Sequence, residues 1–285
     1  MSTTVPPPPY EEHNSGQAAV GQAAVDPLLD DFNYSTKVAF CDAPVRRHFT
    51  RKVYTVLSTQ LLITFTWSLF VSKYRVLQRF VLDHMWLWWT ALAVSFVTCL
   101  WISLSPRGED WDAKNEEQEP AWARREQRPW YILTKSRQFA LLMVFTFTEA
   151  YTLGVVCLTY DSGTVLSALL ITTVVVVGVS AVAISGRFQI ALESMGSVYY
   201  WLNWALWLII GIGFSSLFFG ISGKWDLLYG WLGAIVFTVY LFVDTQLVFR
   251  KVYVDEEIKC AMMLYLDIIN LFLSILRILS HNDDN

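Results

Sequence analysis

Three observations predict that this chain is an all-α polytopic membrane protein, a bundle of seven spanning helices. Of its 285 residues, 54% are hydrophobic and only 16% charged. The apolar residues gather into seven blocks, each close to the ~20 residues a helix needs to cross ~30 Å of hydrocarbon. Lys and Arg are also divided unequally between the two sides on which the connecting segments would emerge. A soluble helix would show an amphipathic period, whereas most of these blocks are apolar all round.

The first 50 residues are a different material. Pro6-Pro7-Pro8-Pro9 and an Ala/Gly/Gln stretch near Gly16 cannot bury a core, so residues 1–50 are expected to form a disordered tail. The early residues lack a basic region followed by an apolar run, so no cleavable signal peptide is expected and the first span serves as the targeting signal. Pro7-Pro8-Pro9-Tyr10 fits the Pro-Pro-x-Tyr ligand of WW domains, which grip a polyproline II ridge and read the Tyr separately. Pro7, Pro8 and Tyr10 are thus a candidate partner motif for a WW-domain ubiquitin ligase, with a plain flexible tail as the alternative.

The spans are expected at Val53 to Ser72, Met85 to Leu104, Phe139 to Thr159, Val165 to Ile184, Tyr199 to Ile221, Leu227 to Phe249 and Ala261 to Leu279. They make residues 51–280 a transmembrane domain, followed by a short tail at 281–285. With the N-terminus in the cytosol, 16 Lys and Arg fall on the cytosolic side, and only Lys73, Arg75, Arg79, Lys224 and Arg277 on the other. Trp86, Trp89, Trp201 and Trp231 lie towards block ends, where an aromatic belt anchors helices. Asn33-Tyr34-Ser35 is a glycosylation sequon by pattern, and the charge bias keeps it cytosolic and bare. The Ser105 to Gln138 connection carries mixed charge and reads as a solvated linker. Because the seventh segment contains Asp, Asn and Arg, re-entry is an alternative to crossing.

Cys41, Cys99, Cys157 and Cys260 lie in separate segments without Cys-x-x-Cys spacing, and the four His lie outside the blocks. No metalloprotease, hydrolase or phosphate-loop motif is present. No enzyme, resident cofactor or nucleic-acid partner is therefore expected.

What remains is acid at membrane depth, whose default reading is a functional site facing protein or water. Asp244 lies six residues, or about 9 Å, inside the end of the sixth segment, and Asp267 lies equally deep in the seventh. The short connection makes the two segments antiparallel neighbours, so the carboxyls are expected to meet and share a proton. Such a pair is a pH-sensitive latch and a transient ligand for a hard cation. A buried acid satisfied by Asn, Tyr or backbone is the structural alternative. Asp267, Asn270, Ser274 and Arg277 share one stripe, with Leu266 and Leu273 expected on the dry side. Glu149, flanked by Thr146 and Thr152, would continue an acidic ion path from mid-membrane to the pair.

Phe237 to Leu247, containing Val243-Asp244-Thr245, and Tyr265-Leu266-Asp267-Ile268-Ile269-Asn270 resemble the signature of the transmembrane Bax inhibitor motif family. The stretch Phe145 to Ala150 is similar to its Lifeguard branch, and the proline-rich start with Tyr10 to fungal members. The likeness runs from about Phe32 to the end. It implies a seven-helix fold with the last helix central, and a calcium leak gated by Asp244 and Asp267 as a di-aspartyl sensor. It further implies a place in internal membranes, in the endoplasmic reticulum or else the vacuole or mitochondrion, and restraint of stress-induced cell death. Some members use an Arg near the end of the second span as a latch, and Arg107 is the nearest counterpart. Two other classes fit the same residues. An intramembrane aspartyl protease also pairs acids across adjacent helices, although Asp267 lacks the usual Gly-x-Gly-Asp context. A non-conducting scaffold would act by binding cell-death regulators.

Overall fold

The computed structural model describes residues 41, 43–106, 129, 131–191, 194–219, 223–250, 253 and 255–283. Pro7, Pro8, Tyr10, Asn33 and Arg107 lie outside them, so the WW-ligand and latch assignments have no structural counterpart. Among the described residues there are eight helices and no strand. They are α1 (Ala43–Lys73), α2 (Arg75–Asp83), α3 (Met85–Leu104), α4 (Lys135–Cys157), α5 (Ser162–Ile184), α6 (Met195–Phe219), α7 (Gly223–Arg250) and α8 (Glu257–Asp283). All but α2 are long and apolar enough to cross a membrane.

Two differences from the sequence expectation have simple causes. α1 starts about ten residues before the apolar block, because a polar first stretch with Arg46, Arg47, Arg51 and Lys52 continues the helix outside the hydrocarbon length. α2 was not expected, since nine residues are too few to register as a block. The seventh segment is an unbroken helix of 27 residues, which favours crossing over re-entry.

Burial in the bundle follows membrane logic, in which polar groups seek the interior and hydrocarbon faces outwards. On α1, Phe49, Val53, Leu57, Gln60, Thr64, Ser68 and Val71 recur every three or four residues and are all buried. Leu62, Leu69 and Phe70 on the same helix are exposed. The buried polar members find partners across helices. Gln60 donates to Thr146 on α4 at 2.9 Å, and Thr64 lies 2.8 Å from the Tyr265 hydroxyl on α8. Interhelical hydrogen bonds of this kind in membranes contribute about 0.6 kcal/mol each.

α8 is the centre of the bundle. It packs against α7, α1, α5 and α4. Over its apolar window 56% of residues are buried, against 11% for α5 and for α6, so it has little contact with lipid. Its first turn is tied down by charge: Glu257, at the positive end of the helix dipole, meets Lys52 at 3.1 Å and Lys135 at 3.8 Å. Lys259 donates to the Ser105 carbonyl at 2.7 Å, fixing the end of α3 to the same helix.

Candidate functional site

α7 and α8 form an antiparallel hairpin joined by a short connection at the end of the bundle that carries Lys52 and Glu257. Farther along the hairpin, small residues let the two backbones close in. A Cβ on Gly233 would sit 2.5 Å from Ser274 Oγ, and one on Gly230 would sit 2.9 Å from Ile278 Cγ1 and 3.3 Å from the Ser274 carbonyl. This is the small-residue packing by which membrane helices gain van der Waals contact.

Nearer the connection, Asp244 on α7 and Asp267 on α8 are both buried, with their carboxyls close enough to interact. A carboxylate has nothing to donate, so a hydrogen bond between these two carboxyls would require a proton held between them. The Tyr199 hydroxyl, arriving from α6, donates to Asp244 Oδ1. Asp267 Oδ2 is buried with no hydrogen-bond donor. The connection before α6 is clasped to α7 beside the pair. Ile190 N donates to Gln246 Oε1 at 3.1 Å, Gln246 Nε2 donates to the Phe188 carbonyl, and Arg250 donates to the Ile190 carbonyl at 2.8 Å.

The second half of the site is a cavity of about 600 Å³. Glu149, Asn270, Ser274 and Arg277 all line it. Ser95 on α3 donates to Glu149 Oε1. Asn270 and Ser274 turn back to their own helix, to the Leu266 and Asn270 carbonyls at 2.9 and 2.8 Å. Arg277 closes one end: it pairs with Asp226 at 3.5 Å and lies 4.6 Å from the centroid of the Tyr229 ring, a cation–π contact.

The expected stripe therefore divides. Asn270, Ser274 and Arg277 face the cavity, while Asp267 turns to Asp244, and neither acid of the pair lines the cavity. Leu266 and Leu273, expected on the dry side, line the same space, because a cavity wider than one helix face takes in the neighbours of the polar stripe. Thr146 does not share the direction of Glu149. Three residues apart on a helix means about 60° of rotation, enough for Thr146 to meet Gln60 on α1 while Glu149 meets Ser95 on α3. Tyr199 was missed because it stands among aromatics at a span end, where anchoring is the ordinary reading. Its one distinguishing mark is that it enters the bundle at the same end as Asp244.

Two carboxyls and one hydroxyl are few donors for calcium, which takes six to eight oxygens in a resident site. Among the described residues no group of three or more His, Cys, Asp or Glu could hold a metal.

A central helix hairpin that buries two neighbouring acids, beside a largely apolar cavity edged by Glu149, Asn270, Ser274 and Arg277, places this seven-span bundle among integral membrane proteins. The family described as "Inhibitor of apoptosis-promoting Bax1" matches residues 46–284, and this chain belongs to it. It is 53% identical to Bax inhibitor 1 of Saccharomyces cerevisiae, covering 98% of this chain and 99% of that protein. It is 30% identical to mouse Protein lifeguard 4, over 88% of this chain and 92% of the relative. A Golgi anti-apoptotic protein of vaccinia virus is 26% identical over 90% and 95% of the two chains. Of these names, the viral one states an anti-apoptotic role and the yeast one the inhibition of Bax.

Proposed function

We propose that this protein is a pH-sensitive calcium-leak channel of internal membranes that restrains stress-induced cell death, with Asp244 and Asp267 as its gate. The buried carboxyl pair carries the reading. A proton shared by the pair would link the two most central helices, and losing it would set like charges against each other at the middle of the bundle or bring in a cation. Glu149, Asn270 and Ser274 supply oxygen ligands along the cavity for a dehydrating cation. The bias of Lys and Arg supports a cytosolic N-terminus, with the acid pair towards the cytosolic side. The name of the viral Golgi relative favours an internal membrane, with the endoplasmic reticulum as the first place to look. The restraint of cell death would draw on partner proteins as well as on calcium, and the Pro7 to Tyr10 segment is the proposed dock for a WW-domain ligase.

Calcium efflux from vesicles reconstituted with the full chain tests this reading. Leak above that of protein-free vesicles, varying with pH and reduced or made constant by Asp244→Asn, is expected. Absence of leak at every pH would leave a scaffold that acts through binding alone.

A further inference from the structure

We propose that α2 is an in-plane interfacial helix that docks an anionic phospholipid, with Val76 and Phe80 in the acyl region and Arg75 and Arg79 on the headgroup phosphate. The 21 residue steps from Lys52 to Lys73 rise about 31 Å along α1, the thickness of the hydrocarbon layer, so Lys73 reaches the opposite interface. Only Tyr74, which is extended, separates α1 from α2, and only His84 separates α2 from α3, so both ends of α2 are held at that interface.

On the wheel of α2, Val76, Leu77, Phe80 and Val81 form one continuous apolar face, Arg75, Arg79 and Asp83 lie on the adjoining side, and exposed Leu82 falls beyond Arg75. Half of the apolar face packs on the protein: Val81 is buried and Leu77 half-buried. The other half is bare, with Val76 83% and Phe80 49% exposed. On the adjoining spans Leu69 and Phe70 of α1 and Trp86 and Trp89 of α3 are exposed as well. Hydrocarbon is the only medium at this depth that favours such a strip. Gln78 donates to the Ser72 carbonyl at 2.7 Å and so fixes the rotation of the helix against α1.

Arg75 and Arg79 are one turn apart, both exposed, and flank the bare strip on its polar side. With Lys73 they outnumber Asp83, the acid of this helix, so the surface is complementary to a negatively charged headgroup. Their planar forks suit bidentate contact with phosphate. A lipid whose acyl chain lies along Val76 and Phe80 would have its phosphate at the height of the two guanidinium groups. This is a docking surface separate from the acid pair, and it stands whether or not the protein conducts calcium.

Two measurements on the full chain test it. After replacement of the native Cys residues, spin labels at Val76→Cys and Phe80→Cys in lipid nanodiscs should collide with oxygen more than with a water-soluble nickel chelate, and labels at Arg79→Cys and Asp83→Cys the reverse. Titration of the detergent-solubilised protein with phosphatidylglycerol, read by native mass spectrometry, should show affinity falling roughly thirtyfold in Arg75→Gln/Arg79→Gln and much less in Arg75→Lys/Arg79→Lys. Equal access of nickel to all four labels would overturn the in-plane helix. Unchanged phosphatidylglycerol affinity in the Gln variant would overturn the headgroup site.

Discussion

Tyr199 donates its hydroxyl to Asp244 from a third helix, so the acid pair is held by α6 as well as by α7 and α8. It leaves Asp267 Oδ2 as the dry, unpartnered atom of the group. Tyr199→Phe should shift the midpoint of any pH-dependent leak and cost about 1 kcal/mol of stability. A midpoint equal to that of the unaltered protein would reduce Tyr199 to packing.

Removing either acid should act differently from removing the donor. With Asp244→Asn or Asp267→Asn no proton can be shared between two carboxyls, so calcium leak should vary little with pH. On the proposed latch, the α7–α8 contact should be tight while the proton is held and should loosen as pH rises and it leaves. Distances between labels on α7 and α8 near the pair, measured against pH, should lengthen in the unaltered protein and stay constant in both Asn variants. Identical pH profiles in all three would sink the latch.

Gly230 and Gly233 face the same helix with different tolerance. A methyl on Gly233 meets Ser274 Oγ, which can rotate or be removed, whereas one on Gly230 meets the Ser274 carbonyl and Ile278. Gly230→Ala should cost about 1–3 kcal/mol by overpacking. Gly233→Ala should cost less and be rescued by Ser274→Ala, an interaction that a double-mutant cycle of thermal stability would measure. Additive effects of the Gly233 and Ser274 substitutions would mean that the helices do not touch there.

The cavity can be checked by thiol chemistry. In a protein stripped of its native Cys residues, Asn270→Cys and Ser274→Cys should react with a small water-soluble thiol reagent, since the reagent needs water to meet a thiolate. Cysteines at Leu271 and Leu276, fully packed on the other face of α8, should not. Equal labelling of both pairs would show that α8 is bathed on every side.

Topology has its own test. A glycosylation acceptor placed between Thr159 and Val165, in the turn from α4 to α5, should be modified in the endoplasmic reticulum, and Asn33 should remain bare. Modification of Asn33 would invert the orientation that the Lys and Arg distribution predicts.

The seven spans and the approximate depth of every acid could be read from the sequence, because crossing hydrocarbon demands about 20 apolar residues in a row and tolerates few charges. Asp244 and Asp267 stood out for the same reason, and the short connection between their segments leaves antiparallel pairing as the natural arrangement. Directions around each helix axis were another matter. In segments that are apolar all round, no periodicity says which face meets lipid, so only packing decided that Gln60 and Thr64 turn inwards while Leu62 turns out. Packing also parted Asp267 from Asn270 and Ser274, and brought Tyr199 to Asp244 from 45 residues away. Nor could the block pattern reveal α2, whose nine residues span nothing and whose role rests on where the ends of α1 and α3 place it. Length and polarity are local properties of a chain and set how deep each residue lies. Rotation and partnership depend on which helices end up side by side, and that is settled only when the whole bundle has packed.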